Sequence, residues 1–428
     1  MSKKRKVIVV GAGIAGLAAC RQLIDHGFDA LILEAQGRYG GRILTSNTFG
    51  FSFGLGASWI HGIEGNPITQ LANHACTEMS VVNRDKFIRF NSAGNPISQS
   101  DVFYLEQTFQ ALLNDAKELA FKSQHDIPLS SAIENIIKEK MFSKPEQDFF
   151  QAKLLSFESY LGASSDSLSA RYWDQEEIWP GENCFLTGSY QPIIDNLAKH
   201  CEIKLNTIVR EVFLSADGVE VITDDMVFNA DAVVLTIPLG VLKKNNIQFN
   251  PPLPEVKKNA IEKLGMGLLN ITAIEFPHSF WPKENHALFF THTDALSIPV
   301  FLNFHHFIQK PILIGYSGGK RAEKIERLTD VELIKKIMID FKKIYGPDVP
   351  DPEAYLTTRW SSDPFSCGSY SFIPPGADAG DYDAMAESVL GRLFFAGEAT
   401  SSRYPATTHG AYLSGIRESE KIIRQFKV

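Results

Sequence analysis

The sequence is poor in cysteine. Its 428 residues include five, Cys20, Cys76, Cys184, Cys201 and Cys367, and no two of them form a C-x-x-C pair. An odd and scattered set of this kind suits neither a disulfide framework nor a zinc site. We therefore expect no metal centre, and a reducing compartment, the cytoplasm.

Positive charge and long apolar runs are also scarce. Lysine and arginine number 42 against 50 aspartate and glutamate residues, which gives a formal net charge of -8 at pH 7. Proteins that bind nucleic acids are more often basic, so we expect no nucleic-acid partner. The sequence has no uninterrupted apolar run of about 18 residues, which predicts that no segment spans a membrane.

The first 34 residues have the pattern of a strand–helix–strand unit. A buried strand is predicted over 7–10, a helix over 14–26 and a second, parallel strand over Ala30–Leu33. The basic run Lys3–Lys6 precedes the first strand. We interpret it as a solvated leader rather than a signal peptide or a nuclear address, because cleavage would destroy the strand and the turn after it.

Three glycines join the first strand to the helix. Gly11 permits a tight turn, Gly13 lets the backbone approach a pyrophosphate, and Gly16 allows the helix to pack closely on the strand. The N-terminus of the helix then offers unpaired N–H groups to the phosphates. Glu34 ends the second strand, in position to bind ribose hydroxyls. Together these residues predict a dinucleotide site.

The rest of the chain changes between helical and strand patterns. Residues from about 66 to 180 are predicted to be mostly helical, with helices over Val102–Phe121 and Leu129–Phe142. Strands are predicted over Ile203–Leu205, Val209–Phe213, Val219–Ile222, Ala232–Ile237, Ile271–Phe276 and Pro311–Tyr316. The last helix is predicted over 411–426, and its apolar face is predicted to contain Leu413, Ile416, Ile423 and Phe426.

Six blocks of sequence carry a resemblance to a known family. The hallmark is Glu34-Ala35-x-x-Arg38-x-Gly40-Gly41-Arg42, in which the glycines allow close approach of the backbone and Arg42 can neutralise phosphate charge. The other blocks are Gly56–Pro67, Arg171–Gly181, Cys201–Val209, Asp363–Ser371 and Leu393–Gly415. With these blocks the chain resembles the flavin-containing amine oxidases, in the branch of the polyamine oxidases and the lysine-specific histone demethylases.

The resemblance implies a non-covalently bound FAD. It assigns cofactor contacts to Gly11, Gly13, Ala15, Gly16, Glu34, Ala35, Gly41, Arg42, Gly56, Ala57, Ser58, Trp59, Val209, Trp360, Gly397, Glu398, Thr407 and Thr408. Among these, Val209 meets the adenine and Trp360 packs beside the flavin ring. The last helix can point the positive end of its dipole at the flavin edge that becomes negative on reduction. Monoamine oxidases have a flavin-linked cysteine where this chain has Ser369, so no covalent link is expected.

The resemblance also implies the fold class. We expect an α/β protein in which a discontinuous Rossmann-like FAD-binding domain is combined with an α+β substrate-binding domain, the amine oxidase fold. Residues 1–75, 185–245 and 385–428 are expected to form the FAD-binding domain. Residues 76–184 and 246–384 are expected to form the substrate-binding domain, as a helical insert with a mixed sheet.

The substrate site that the resemblance implies is built for a small-molecule amine. It places Tyr370 and Thr407 on opposite walls of a cage, and His61 at the mouth, where it helps to position a distal amine. Hydride transfer from the amine Cα to flavin N5 gives an imine, which hydrolyses to an aldehyde and an amine. A polyamine is the favoured substrate.

Two features of this site leave alternatives open. Asp174, Glu176 and Glu177 could attract a polycation, although such a run is more often a solvated face. Ile271 stands where the family has a lysine that holds a water near flavin N5. Isoleucine cannot hold that water or help the reduced flavin to react with O2. The sequence therefore leaves open whether the electron acceptor is O2 or another molecule. The chain then is an oxidase, a slow-reacting dehydrogenase, an FAD-bound scaffold, or an enzyme for a non-amine substrate.

Overall fold

The computed structural model describes residues 4–291 and 298–426, which contain both helices and strands. The helices are α1 (Ile14–Asp25), α2 (Pro67–His74), α3 (Gln99–Lys122), α4 (Leu129–Lys140), α5 (Lys144–Leu161), α6 (Gln191–Ala198), α7 (Leu239–Lys243), α8 (Glu255–Lys263), α9 (Phe304–Ile308), α10 (Gly319–Glu326), α11 (Asp330–Tyr345), α12 (Ala379–Ala386) and α13 (Thr408–Phe426). No helix within these two ranges is both long and apolar enough to cross a membrane.

The strands are mostly short. They are β1 (Lys6–Val10), β2 (Asp29–Leu33), β3 (Thr45–Ser46), β4 (Phe53–Gly54), β5 (Trp59–Ile60), β6 (Met79–Val81), β7 (Phe87–Phe90), β8 (Cys184–Leu186), β9 (Glu202–Lys204), β10 (Val209–Leu214), β11 (Val219–Thr223), β12 (Val227–Ala230), β13 (Ala232–Leu235), β14 (Gln248–Asn250), β15 (Gly265–Met266), β16 (Leu269–Glu275), β17 (Ala287–Phe290), β18 (Val300–Asn303), β19 (Ile312–Gly318), β20 (Ala354–Thr357), β21 (Ser371–Phe372) and β22 (Leu393–Phe395). Two sheets contain most of the longer strands.

A parallel sheet carries the N-terminal glycine turn. Its strand order is β22-β13-β1-β2-β9, and every neighbouring pair is parallel. Val7 and Val9 of β1 pack in one core with α1, whereas Ile8 and Val10 face the opposite core. Both faces of this strand are thus covered, which is why its sequence is continuously apolar. The predicted strand–helix–strand unit is confirmed. The strand predicted over Ala232–Ile237 is also confirmed, as β13.

Helix α13 packs on α1 through only part of the predicted face. Leu413 and Ile416 are only partly buried, and the buried side of the helix is made mainly of small residues such as Ser414 and Gly415. A methyl group added at Gly415 would lie 2.1 Å from the carbonyl oxygen of Ala15 on α1. The two helices approach too closely for large side chains at this point, so the prediction was wrong for Leu413 and Ile416. Ile423 and Phe426 do pack, partly buried, against the core that α13 shares with α1, as predicted.

The second large sheet has the order β20-β16-β19-β18-β17-β7. The strands predicted over Ile271–Phe276 and Pro311–Tyr316 are confirmed as β16 and β19, which pair antiparallel. Strand β7 pairs parallel with β17, about 200 residues later in the chain. The region expected to be mostly helical therefore also contains strands β6 and β7, which form by pairing with distant partners.

Helices α3, α4 and α5 form most of that region. The first two confirm the helices predicted over Val102–Phe121 and Leu129–Phe142, each with slightly shifted ends. Their apolar faces meet in one core with α5, where Leu112, Ile133 and Phe150 are buried. The C-terminal end of α5 lies beside β19, where the Ser159 hydroxyl is 3.4 Å from the carbonyl oxygen of Tyr316.

The division of the chain into two domains stays a prediction. Strand β14 falls in the segment assigned to the substrate-binding domain, yet it pairs parallel with β10 of the segment assigned to the FAD-binding domain. Ala260 of α8 also shares an apolar core with Ile8 of β1. The chain from β14 to α8 thus packs with the strands of the first domain.

Candidate active site

The glycine turn between β1 and α1 has the geometry of a phosphate-binding turn. Gly11 has a φ of +104°, which glycine adopts without strain. A methyl group at Gly16 would lie 2.0 Å from the Gly11 carbonyl oxygen, whereas one at Gly13 would meet no atom within 4 Å. No side chain in the described part of the chain caps the N-terminus of α1. Open space therefore lies beside Gly13, in front of uncapped backbone N–H groups.

Glu34 lies beside this turn at the end of β2. Its carboxylate accepts hydrogen bonds from the backbone N–H groups of Ala12 at 2.7 Å and Gln36 at 2.8 Å. Burial raises the pKa of Glu34, and these two donors act in the opposite direction. The N–H of Thr207 donates to the Glu34 carbonyl at 2.8 Å. This bond brings the start of β10, where Val209 is buried, to the same side of the turn as Glu34.

The Gly40-Gly41 segment folds onto the glycine turn. Gly40 and Gly41 have φ values of +108° and +60°, and the Gly40 N–H donates to the Ala12 carbonyl at 2.8 Å. A methyl group at Gly41 would lie 3.4 Å from the Cα of Gly13. The predicted contacts at Gly13 and Gly41 are therefore adjacent in space, although 28 positions separate them in the sequence.

Arg42 and Glu398 form an ion pair that joins the two ends of the chain. Arg42 Nη1 lies 2.7 Å from Glu398 Oε1, and it also donates to the Ser369 carbonyl at 2.9 Å. The other carboxylate oxygen of Glu398 accepts from the Ser371 hydroxyl at 2.6 Å and from the Ala406 N–H at 3.0 Å. Arg42 was predicted to neutralise phosphate. In the structure its first partner is a protein carboxylate, and the phosphate role stays a prediction.

The loop that begins at Gly56 is held between Arg42 and Trp360. A methyl group at Gly56 would lie 1.9 Å from the Arg42 carbonyl oxygen and 3.2 Å from the Trp360 ring. The Trp360 indole N–H donates to the carbonyl that precedes Gly56, at 3.3 Å. Within the loop, the Ser58 hydroxyl donates to the Gly56 carbonyl at 2.9 Å, and the Ala57 N–H donates to the Arg42 carbonyl at 3.3 Å. These bonds bring all the predicted contacts in this loop together.

Tyr190 connects this loop to the C-terminal helix, and it was not among the predicted site residues. Its hydroxyl donates to the Trp59 carbonyl at 2.6 Å and lies 3.1 Å from the Thr408 hydroxyl. The side chain is fully buried. No motif around Tyr190 indicated this role, because the bridge depends on two segments that lie far away in the sequence.

The segment from Gly397 to Thr407 shapes the start of α13. Gly397 has a φ of +125°, and its N–H donates to the Ser414 hydroxyl of α13 at 2.8 Å. The Thr407 hydroxyl accepts from the Gly410 N–H at 3.0 Å and donates to the Tyr404 carbonyl at 2.9 Å. Thr407 thus caps α13, which begins one turn earlier than predicted. Its predicted place on the cage wall stays a prediction.

Three of the predicted cofactor contacts are alanines, and one of them, Ala57, lies in the Gly56 loop described above. Ala15 lies in the first turn of α1, where it is buried against α13. Ala35 follows β2 and is half-buried. Neither side chain has a polar atom, so any contact with a dinucleotide would come from the backbone or from packing.

Four aromatic side chains form a cluster next to the Gly56 loop, and we call Trp59, His61, Tyr160 and Tyr370 the aromatic cleft. The His61 ring lies parallel to Trp59 at 6.4 Å and edge-on to Tyr160 at 5.5 Å. The Tyr370 hydroxyl donates to the Tyr160 carbonyl at 2.8 Å. Tyr370 follows Ser369, whose carbonyl binds Arg42. Tyr370 therefore connects the cleft to the segment that contacts Arg42.

Three ring nitrogens around the cleft are buried without a hydrogen-bond partner among the described residues: His61 Nδ1, Trp179 Nε1 and His409 Nε2. Burial lowers the pKa of both His61 and His409 to about 4. Both imidazoles are consequently neutral near pH 7. His409 was not predicted as a site residue; its ring lies 5.0 Å from Tyr404 and 6.4 Å from Trp179. Neutral rings of this kind do not repel a cation.

The three acidic residues near the cleft differ in their partners. Asp174 pairs with Lys117 at 2.6 Å, and Glu177 pairs with Arg403. Glu176 has no ion-pair partner within the described residues, and its closest polar contact is the Tyr160 hydroxyl at 3.5 Å. Burial raises the pKa of Glu176 to about 7. Glu176, which lies beside the aromatic cleft, is thus the one carboxylate of the three with no cationic partner in the described residues.

Ile271 lies in the middle of β16 on the side that faces Trp59. Its side chain is 3% exposed and packs in the apolar cluster that contains Phe53 and Leu55. Its N–H donates to the Thr358 hydroxyl at 2.8 Å. The strand face next to the Gly56 loop is thus apolar at the position where the resemblance expects a lysine.

Comparison with known proteins decides the family. The sequence model of the family described as flavin containing amine oxidoreductase matches residues 14–423. The chain belongs to the flavin-containing amine oxidoreductase family. The resemblance inferred from the six sequence blocks is therefore confirmed, and with it a flavin cofactor.

Two kinds of curated protein are similar to this chain. Lysine-specific histone demethylase 1 homolog 2 of Arabidopsis thaliana is 38% identical over 97% of this chain, which spans 58% of the relative's length. Polyamine oxidase 4 of Oryza sativa subsp. japonica is 34% identical over 97% of this chain and 88% of its own length. An engineered putrescine oxidase, redesigned for cofactor binding, superposes with a TM-score of 0.78 at 19% identity, over 98% of this chain and 99% of that chain. The last comparison confirms the amine oxidase fold.

The cradle of this amine oxidoreductase fits FAD. An open space beside Gly13 faces an uncapped helix N-terminus, which suits a pyrophosphate. The start of β10 is hydrogen-bonded to Glu34, Gly41 approaches Gly13, and Trp360 and Tyr190 contact the Gly56 loop. The roles of these residues in binding the two ends of FAD stay predictions.

The segment before Tyr370 contains a turn. Cys367 has a φ of +51° and lies in a turn, with its thiol 3.5 Å from the Pro364 carbonyl. The Ser369 hydroxyl is bound to the backbone of Leu269 at 2.8 and 2.9 Å. The direction of the Cys367 thiol is therefore set by this turn. The absence of a flavin link stays a prediction.

Proposed function

We propose that this flavin-containing amine oxidoreductase oxidises a polyamine-type substrate with a non-covalently bound FAD. The observation that carries the proposal is Glu176, the acidic residue beside the aromatic cleft that no cation neutralises in the described structure. A polyamine has several positive charges spaced along an apolar chain. Aromatic rings and one free carboxylate are the groups that bind such a molecule.

The side chains of the cleft would bind and orient the amine. Tyr370 and Trp59 offer ring faces on which a methylene chain and a nitrogen can pack. His61 and His409 are neutral because burial lowers their pKa values to about 4, so neither adds a repelling charge. When bound, the flavin supplies the acceptor for the hydride that leaves the carbon beside the nitrogen. The imine then hydrolyses to an aldehyde and an amine.

Glu176 would attract the distal ammonium group. Its pKa of about 7 means that the carboxylate is half ionised near neutrality and fully ionised at higher pH. Binding of a cation should therefore strengthen as pH rises through 7. A neutral reacting nitrogen is also favoured at higher pH. Both effects predict that activity rises between about pH 6 and pH 9.

The proposal is tested by anaerobic reduction of the purified holoprotein. Spermine, N-acetylspermine, spermidine and simple monoamines are added in turn, and the flavin absorbance is followed. We expect one of the first three to bleach the flavin band and the monoamines to be slow. If none of these amines bleaches the flavin, amine oxidation of these classes is refuted.

A Glu176→Gln variant tests the specificity. We expect kcat/KM for the best polyamine to fall about tenfold or more, which corresponds to about 1.4 kcal/mol of lost transition-state binding. Glu177→Gln is the matched control, because Glu177 is adjacent but already paired with Arg403. Equal losses in the two variants would show that the unpaired state of Glu176 has no special role.

A second candidate function rests on Ile271. Its buried apolar site favours an enzyme that transfers electrons to an acceptor other than O2, or an FAD-bound scaffold. Peroxide formation is compared in the wild type and in Ile271→Lys, with Ile271→Met as a control of similar volume. A large gain of peroxide formation in the lysine variant alone would favour a dehydrogenase. No bleaching of either protein by any amine would favour the scaffold.

A further inference from the structure

One hydroxyl group of the second large sheet reaches the aromatic cleft, and it belongs to a residue that was not among the predicted site residues. Tyr316 lies on β19, directly opposite Ile271 of β16. The indole N–H of Trp59, a member of the cleft, donates to the Tyr316 hydroxyl at 3.3 Å. The described residues offer that N–H no other acceptor.

This hydrogen bond lies in apolar surroundings. Trp59 and Tyr316 both pack, partly buried, against the cluster that contains Ile271 and Phe185, and they are the two members of that cluster with a polar side-chain atom. Burial raises the pKa of Tyr316 above its ordinary value, so the hydroxyl stays neutral. If the bond is broken, neither group finds a second partner among these side chains, which makes the loss costly.

The other contacts of Trp59 fix its backbone and its ring faces. Trp59 pairs with Phe185 in the sheet, and its carbonyl accepts from Tyr190 at 2.6 Å. The ring lies edge-on to Phe185 at 5.5 Å and parallel to His61 at 6.4 Å. The last torsion of an aromatic side chain is broad and roughly two-fold, so ring packing alone does not select the edge on which the indole nitrogen lies. The bond to Tyr316 selects it.

The backbone of Tyr316 is linked to the part of the cleft that contains Tyr370. The Ser159 hydroxyl, at the end of α5, lies 3.4 Å from the Tyr316 carbonyl. The Tyr370 hydroxyl is bound to the same turn of α5, at 3.3 Å from the Ser159 carbonyl and 2.8 Å from the Tyr160 carbonyl. Tyr316 thus contacts Trp59 through its side chain, and through its backbone it contacts the turn that holds Tyr370.

We propose that Tyr316 is a positioning residue of the aromatic cleft: its hydroxyl holds the Trp59 indole in one orientation and so sets the spacing between Trp59 and Tyr370 for the amine chain. The proposal rests on the proposed function, because it concerns how the same site binds its amine. Tyr316 acts through Trp59 and does not touch the reacting atoms. Its loss should therefore weaken binding of the amine and leave the chemical step nearly unchanged.

The hydrogen bond is tested without turnover, by NMR of holoprotein with 15N-labelled indole groups. The chain has five tryptophans, and Trp59→Phe identifies the Trp59 signal. In Tyr316→Phe we expect this signal to shift and its N–H to exchange with solvent about fivefold faster or more. Tyr345→Phe is the matched control, because the Tyr345 hydroxyl is buried without a hydrogen-bond partner in the described part of the chain. An unchanged Trp59 signal in Tyr316→Phe would overturn the proposal.

The effect on the substrate is tested by anaerobic reduction with the polyamine that bleaches the flavin best. In Tyr316→Phe the apparent Kd should rise about fivefold or more, with the limiting rate of reduction within about twofold of the wild type, whereas Tyr345→Phe should change neither. In a Trp59→Phe background, Tyr316→Phe should cause no further rise, because both changes remove one bond.

Two kinetic results would overturn the proposal: a fall in the limiting rate with an unchanged Kd, or fully additive effects of Tyr316→Phe and Trp59→Phe. A holoprotein that no amine bleaches is a different failure. It would refute the proposed function and, with it, the role of Tyr316 in binding an amine, whatever the indole signal shows about the bond itself.

Discussion

The sharpest prediction from the cofactor cradle concerns two glycines three positions apart. A methyl group at Gly13 meets no atom within 4 Å, whereas the same group at Gly16 lies 2.0 Å from the carbonyl oxygen of Gly11 and 3.0 Å from the Thr236 hydroxyl. Gly13→Ala should therefore impair cofactor binding and leave folding intact. Gly16→Ala should impair folding itself.

The expected size of each effect follows from the local geometry. Gly13 is the N-cap of α1, with φ -72° and ψ 176°, which alanine adopts readily. Alanine at an N-cap is less favourable than glycine, but it also reduces the entropy of the unfolded chain, so the net change in unfolding free energy should stay within about 1 kcal/mol. At Gly16 the Gly11 carbonyl must move by more than 1 Å to restore a normal contact of roughly 3.2 Å, and overpacking of this kind costs about 1–3 kcal/mol or more.

The loss of cofactor affinity should be larger for Gly13→Ala than its loss of stability. The added methyl group would occupy the space in which phosphate oxygens approach the N–H groups at the start of α1. We expect FAD affinity to fall at least tenfold, which is about 1.4 kcal/mol. The affinity is measured by quenching of flavin fluorescence as apoprotein is titrated into FAD, and the stability of the apoprotein by urea unfolding.

Three results would refute this reasoning. Normal FAD affinity in Gly13→Ala would mean that the open space is not where the cofactor binds. Unfolding of Gly13→Ala would mean that the space is filled by protein in solution. A Gly16→Ala protein as stable as the wild type would mean that the close contact with Gly11 is relaxed in solution.

Further predictions concern stability and pH. Glu398→Gln leaves Arg42 without its carboxylate and should lower the free energy of unfolding, measured in urea, by about 2–3 kcal/mol. Glu177→Gln, which removes one member of an exposed pair, should lower it by less than about 1 kcal/mol. Equal losses in the two variants would contradict the structural role of the Arg42 pair. Tyr190→Phe removes the bridge from Trp59 to the start of α13 and should cost about 1–2 kcal/mol, which the same urea titration would show. Burial lowers the pKa of Lys257 to about 7, so between about pH 7 and pH 10 the unfolded chain binds more protons than the folded chain and stability should rise with pH. In Lys257→Met, the free energy of unfolding should rise by up to about 1.4 kcal/mol less per pH unit than in the wild type. Parallel plots of unfolding free energy against pH for the two proteins would contradict this prediction.

The sequence was sufficient for features that depend on neighbouring residues. Strand β1, the three glycines and helix α1 are encoded by about 20 consecutive positions, and the steric reason for each glycine follows from its place in that local pattern. The structure confirms the reasons for Gly11 and Gly16 through a positive φ and a 2.0 Å approach. Local pattern therefore predicted this half of the cradle correctly.

Features that depend on distant segments could not be predicted in this way. The Arg42–Glu398 pair joins positions 356 apart, and strand β7 forms only because β17 lies beside it. The apolar residues of α13 predicted its buried face wrongly at Leu413 and Ile416, because close contact with α1 at Gly415 selects small side chains over large ones. The spacing of apolar residues along a helix indicates which face is apolar, and it does not indicate how closely a neighbouring helix approaches that face.

The acidic residues near the cleft show the same limit at the level of charge. In the sequence, Asp174, Glu176 and Glu177 are equivalent members of one acidic run. The structure separates them, because Lys117 and Arg403 come from other segments and neutralise two of the three. A charge run thus becomes informative only when the partners of each member are known.

Ile271 connects the fold to the question of the electron acceptor. Its side chain belongs to an apolar cluster with Phe53 and Leu55, and the neighbouring strand places Tyr316 directly opposite. A lysine at this position would put an ammonium group among apolar side chains, where burial lowers its pKa and where a free charge costs several kcal/mol. Isoleucine therefore fits this cluster as a packed core residue. A lysine at position 271 would need a different set of neighbouring side chains, and not only a different residue at one position. For this reason we expect Ile271→Lys to lower the stability of the apoprotein more than Ile271→Met does, even if the lysine variant gains reactivity toward O2. A lysine variant as stable as the wild type would show that this wall retains a polar space beside the cofactor.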